Sequence, residues 1–189
     1  SRRGPCRHQR RAGTLTPSSN EPFAVFRADA SPEIGGGHVM RCLTLADALS
    51  ERGWRCGFAC NEATLSVTPA LAASSHPARA PEDLNAAWPE DCDLLVVDHY
   101  GLAETFEGPC RPWAKRILTI DDLADRSHDC DILLDQTFGR RPEDYDGLVP
   151  SNCLILTGST YALLRPQFAE ARPAALSRRG PGDPGRDRL

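Results

Sequence analysis

Apolar residues in this chain come in short runs, each closing on polar residues, and the runs alternate with stretches of helical period. The first run, residues 23–26 (FAVF), predicts a strand, followed by a charged loop that ends in Gly35, Gly36, Gly37 and His38. Val39, Cys42, Leu43, Leu45, Ala46 and Leu49 then recur at helical spacing, with Asp47, Glu51 and Arg52 opposite and Gly53 as a stop. A second strand is expected over 54–60, a weaker helix over 62–73, and a Pro- and Ala-rich connection around 76–81. Residues 93–98 (DLLVVD) form the clearest strand, a continuous apolar run suited to a parallel strand buried on both faces. A short helix over 103–114 precedes further strands at 116–120, 130–135 and 153–157.

This alternation predicts an α/β fold on a Rossmann-like parallel sheet. Right-handed crossovers put every strand exit on one sheet edge, so Asp29, His38, Asp98, His99, Tyr100, Asp121 and Asp122 are expected to converge. Residues 1–21, rich in Arg, Ser, Pro and Gly, are read as a disordered leader, and 22–170 as one domain. From 171 to 189 the periodicity fails, and this stretch is read as a disordered or aberrant tail.

Composition changes this picture little. The chain has 189 residues and a formal net charge of -4, which suits one domain with a real core and argues against nucleic acid as a partner. No run of 18 or more apolar residues exists, and no hydrophobic signal region follows the basic N-terminal stretch. A cytoplasmic protein is therefore expected, with no membrane partner. The eight cysteines are scattered without a C-x-x-C pair, so most are read as reduced core residues.

The chemistry concentrates in the loop before the first helix. Gly35, Gly36 and Gly37 fit neither the dinucleotide fingerprint, since Met40 stands where a glycine is needed, nor the Walker pattern. They leave either a loop whose backbone can approach a ligand or a plain strand-to-helix turn. His38 at the start of the helix is either a capping and packing residue or a general base, since the positive helix end favours the neutral ring. Asp98 with His99, and Asp121 with Asp122, can be catalytic carboxylates, groups that hold sugar hydroxyls or helix caps. A metal site is the weakest reading, because adjacent residues at a strand end point in alternate directions.

Five segments taken in order carry a family resemblance: FRADASPEIGGGHVMR (26–41), LLVVDHYG (94–101), the Asp121–Asp122 pair after LTI, CDILLDQ (130–136) and TGSTYALLRPQF (157–168). They resemble the UDP-2,4-diacetamido-2,4,6-trideoxy-β-L-altropyranose hydrolases, nucleotide-sugar hydrolases of pseudaminic acid biosynthesis with relatives among spore-coat polysaccharide proteins. The resemblance implies a GT-B-type fold of two Rossmann-like domains with the UDP-sugar between them, this chain supplying the N-terminal half. It implies that His38 is the catalytic base, activating water for inverting attack at the anomeric carbon. Arg27, Asp29, Gly35, Gly36, Gly37, Arg41, Asp98, His99, Tyr100, Asp121 and Tyr161 would then bind substrate, with no metal, cofactor or protein partner. The expected C-terminal domain should follow TGSTYALLRPQF, where the chain instead enters its Pro/Gly/Arg tail. A truncated chain with little activity alone is therefore expected. The alternatives are a GT-B-like glycosyltransferase domain and a non-catalytic remnant.

Overall fold

The computed structural model describes residues 21–84 and 92–178. The leader expected over 1–21, apart from Glu21, and the tail beyond Arg178 lie outside the described residues. The fold is a parallel sheet of seven strands in the order β3-β2-β1-β4-β5-β6-β7. The strands are β1 (Phe23–Ala28), β2 (Arg55–Ala59), β3 (Ala78–Arg79), β4 (Leu94–Asp98), β5 (Ile117–Ile120), β6 (Ile132–Asp135) and β7 (Leu154–Thr157). All six pairings are parallel, giving the α/β, Rossmann-like arrangement the alternation predicts.

β1 lies inside the sheet between β2 and β4, and all six of its residues are buried. Because side chains alternate across a strand, Ala24, Phe26 and Ala28 enter one core while Phe23 and Val25 enter the other. On the first face Phe26 stacks on Phe58 of β2 at 5.0 Å between ring centroids, a pairing that contributes roughly 0.5–1.5 kcal/mol beyond area burial. Helix α1 (Gly37–Ser50) covers that face, burying Val39, Cys42, Leu43 and Ala46 at helical spacing. On the second face Val25, Leu95, Val97, Ile117 and Leu133 pack with Leu84 and Tyr145.

The chain runs from β1 outward to β2 and β3, then returns across the sheet to β4 on the other side of β1. Loops leaving β1 and β4 therefore diverge and leave a crevice at the carboxyl edge, the usual ligand position in open α/β sheets.

Several local expectations shift. The helix expected over 62–73 is two, α2 (Glu62–Val67) and α3 (Pro69–Ala72). The ring of Pro69 disfavours helical geometry in the preceding residue, and Thr68 has φ -122 and ψ 76. Asn61 caps α2 by accepting from the Thr64 N–H at 2.9 Å. The connection around 76–81 contains the two-residue strand β3, which pairs with Phe58 and Ala59 of β2. Helix α4 (Glu104–Cys110) is shorter than the expected 103–114 and carries Pro109 near its end. Helix α5 (Pro166–Arg178) continues through residues 171–178, a stretch read from the sequence as aperiodic. Four alanines (Ala169, Ala171, Ala174, Ala175) supply the propensity, which Pro173 opposes, and no residue of α5 is buried. Among the described residues no helix is long and apolar enough to cross a membrane.

Candidate active site

The three glycines do different things. Gly35 has φ +74, a conformation that strains any side chain, and closes a tight turn by donating its N–H to the Ser31 carbonyl at 2.7 Å. Gly36 is the N-cap of α1, where a Cβ would lie 3.2 Å from the Thr68 hydroxyl. Gly37 faces open space and begins the helix. Together they compress the turn so that His38 enters the first turn of α1 directly over the crevice.

The His38 ring is buried and its Nδ1 lies 2.5 Å from Asp98 Oδ1 at the end of β4. Arg41, one helical turn along the same face, donates Nε to Asp98 Oδ2 at 2.6 Å and its terminal nitrogen to Oδ1 at 2.7 Å. Asp98 has no exposed surface. Burial opposes its ionisation, but the bonds from Arg41 and then His38 outweigh this and hold the carboxyl below its ordinary range. A carboxylate this close to Nδ1 requires the ring proton on Nδ1, even though an Arg41 nitrogen also stands 3.3 Å away. That tautomer leaves the lone pair on Nε2, which has no partner among the described residues and is not sealed in the interior. The edge of Tyr100 meets the ring at 4.5 Å and 86°. Its hydroxyl and Arg41 both approach Asp122 Oδ2, each at 3.4 Å.

A second group adjoins this one. At the end of β1, Asp29 accepts from Arg27 at 2.8 Å and from the Asn61 N–H at 2.8 Å, with His99 Nε2 at 3.4 Å. The Gly101 N–H donates to His99 Nδ1 at 2.9 Å, which places the His99 proton on Nε2, toward Asp29. Burial raises the Asp29 pKa, but the hydrogen bonds from His99 and Arg27 win and hold it well below the ordinary carboxylate value. Arg27 also reaches the Ala59 carbonyl at 3.4 Å, tying β1 to β2.

The structure therefore brings together His38, Arg41, Asp98, Tyr100 and Asp122, with Arg27, Asp29 and His99 beside them. Asp98, read as a catalytic carboxylate, a group that holds sugar hydroxyls or a helix cap, accepts hydrogen bonds from His38 and Arg41, and the N-cap of α4 is Ala103. Asp121 turns away. It is buried, accepting from the Ala124 N–H and the Tyr145 hydroxyl, with Arg126 at 2.9 Å. Its neighbour Asp122 points into the cluster instead, and the alternation of side chains at a strand end is the signal that separates them. Tyr161, in the turn after β7, is exposed, and among the described residues no hydrogen bond joins it to the other candidates. Among these residues no group of three His, Cys, Asp or Glu could hold a metal ion. A groove of about 360 Å³ opens beside Gly37 and Arg41, lined also by Met40, Gln136, Leu163 and Phe168.

Over 149 residues the chain is 34% identical to UDP-2,4-diacetamido-2,4,6-trideoxy-beta-L-altropyranose hydrolase of Campylobacter jejuni, the match covering 76% of this chain and 52% of the relative. The chain resembles that hydrolase. It spans about half the length of this curated relative. No family model matches the chain. The likeness to the Campylobacter hydrolase agrees with the motifs read from the sequence, while the roles of individual residues rest on the geometry above.

Proposed function

We propose that this chain is the base-presenting domain of an inverting hydrolase of a UDP-linked 2,4-diacetamido-2,4,6-trideoxy sugar, acting in pseudaminic acid biosynthesis. The observation that carries the reading is the short Nδ1 contact of His38 with a carboxylate held ionised by Arg41, which leaves Nε2 available at the crevice. A water between Nε2 and the anomeric carbon attacks that carbon and gives its proton to Nε2. The C–O bond to the diphosphate breaks, and its electron pair leaves with UDP. One displacement inverts the anomeric configuration. Asp98 stabilises the imidazolium that forms, as the acidic member of a catalytic triad does. UDP is a good leaving group, so the paired acid of ordinary glycosidases is not required.

The charge pattern supports a division of labour. Both arginines of the cluster, Arg27 and Arg41, are engaged by carboxylates, and Asp122 adds a further negative charge. Such a site suits a sugar and a water better than a diphosphate. In the two-domain GT-B arrangement the nucleotide contacts would come mainly from a second domain, with residues 22–170 forming this one. Tyr100, Asp122 and the groove beside Arg41 would face the sugar.

Release of UDP from the sugar nucleotide, followed by chromatography, tests the reading. His38→Ala is expected to lower the rate by about 10²–10⁴, the usual share of a general base. An unchanged rate would remove His38 from the mechanism.

A further inference from the structure

Among the described cysteines, one pair brings its sulfurs within reach of each other: Cys130 and Cys153, 3.6 Å apart. We propose that these two residues are an oxidation site, a dithiol that hydroperoxides convert to an intramolecular disulfide.

The residues precede β6 and β7, whose register pairs Ile132 with Leu154 and is continued by the Leu154 N–H donating to the Asp131 carbonyl at 2.9 Å. The backbones of the two strand starts are thus already fixed side by side, at the amino edge of the sheet and away from His38. Closing from 3.6 Å to the ~2.05 Å of a disulfide takes about 1.5 Å, within reach of small side-chain rotations. The two thiols also differ in the way a peroxide-reactive pair requires. Cys130 is buried, whereas Cys153 is partly exposed. The contact with the Cys130 sulfur, and then the Leu133 N–H, hold Cys153 below the ordinary thiol value against its burial. Cys130 is pushed above it. Cys153 is therefore the attacking thiolate and Cys130 the resolving thiol. The other described cysteines are buried, and Cys42, Cys56, Cys60, Cys92 and Cys110 all have thiols raised by burial.

The step balances with hydrogen peroxide as oxidant. The Cys153 thiolate attacks one peroxide oxygen, the O–O bond breaks, and uptake of a proton gives Cys153 sulfenic acid and one water. The Cys130 sulfur displaces the sulfenic hydroxyl, which leaves with the Cys130 proton as a second water while the S–S bond forms. Two electrons pass from the two thiols to the peroxide. The link fastens β7, which among the described residues pairs only with β6, and raises the thermal midpoint.

The test uses the reduced chain as it stands, exposed to hydrogen peroxide and read by intact and non-reducing peptide mass spectrometry. The expected result is a loss of two hydrogens and a single dominant Cys130–Cys153 cross-linked peptide, reversed by dithiothreitol. A C6S variant is expected to behave identically, and in a C130S variant a sulfenic acid on Cys153 is expected to react with dimedone. Cross-links spread over other cysteines, an unchanged mass, or a lasting Cys153 sulfenic acid in the unsubstituted chain would overturn the proposal. None of these readouts depends on hydrolase activity.

Discussion

In the proposed mechanism Asp98 acts on the crevice through His38. It accepts from both Arg41 and His38 and fixes the tautomer of the ring. Asp98→Asn keeps the shape but offers an amide that can donate to Nδ1, moving the ring proton to Nε2 and removing the base. A fall in UDP release of about 10²–10⁴ is expected, close to that of His38→Ala, with the circular dichroism spectrum retained. A second residue-scale prediction concerns acid. Asp29 and Asp98 have folded pKa values held below those of the unfolded chain. The unfolded chain therefore takes up protons first as pH falls, so the stability these groups supply is full above about pH 4 and is lost below it, through the depressed folded values. Urea midpoints at pH 7 and pH 3 are expected to fall further for the native chain than for Asp29→Asn. An equal fall in both would contradict the assignment. At this scale the place of His38 in the first turn of α1 was legible, because a glycine-rich loop meeting a helical pattern marks the junction. That Asp98 reaches the same sheet edge was expected too, but its pairing with Nδ1 was not, since the two lie 60 residues apart and the sheet order decides which strand exits touch. The end of β5 at Ile120 was expected, but which of Asp121 and Asp122 faces the crevice depends on the side chains packed beneath them, Tyr145 and Arg126 under Asp121.

At the scale of elements, the loop before α1 is held by backbone geometry that the sequence shows only as three like residues. Gly35→Ala forces a side chain into a left-handed conformation and is expected to cost about 1–2 kcal/mol, whereas Gly37→Ala meets open space and is expected to be neutral or to stabilise by up to ~1 kcal/mol. Denaturant midpoints of the two variants check this, and equal losses would contradict it. The ends of β5 and β6 are joined in another way. The Tyr145 hydroxyl lies 2.9 Å from Asp121 and 2.8 Å from Asp135 and, having one proton, donates to one carboxylate at a time. Burial, together with these carboxylates, raises its phenol pKa well above the ordinary value, so it stays protonated. Tyr145→Phe is expected to lower stability by about 1–3 kcal/mol, measured by urea unfolding, because buried carboxylate oxygens lose a donor. Long apolar strands such as β4 were plain in the sequence. β3 was hidden because two residues carry no period, and the α2–α3 break because Pro69 lies within an otherwise helical stretch.

At the scale of the molecule, the strand order explains why the candidate residues meet. β1 and β4 are neighbours although the chain visits β2 and β3 between them, so the loops bearing Asp29 and His38 face the one bearing Asp98, His99 and Tyr100. The fold class followed from alternation alone, and the switch point from the order. The Arg41 clamp on Asp98 did not, because a charged residue on a helix reads as a solvated face until its partner is located. The match to the Campylobacter hydrolase covers 52% of that protein, and in the cluster described here Arg27 and Arg41 are each paired with a carboxylate. Incubation of the UDP-sugar in ¹⁸O-labelled water, with this chain in excess so that slow release is detected, tests the central claim most directly. The account predicts that the label enters the anomeric hydroxyl of the freed sugar with inversion, and that His38→Ala stops its entry. Label in the released UDP, or entry unaffected by His38→Ala, would contradict it.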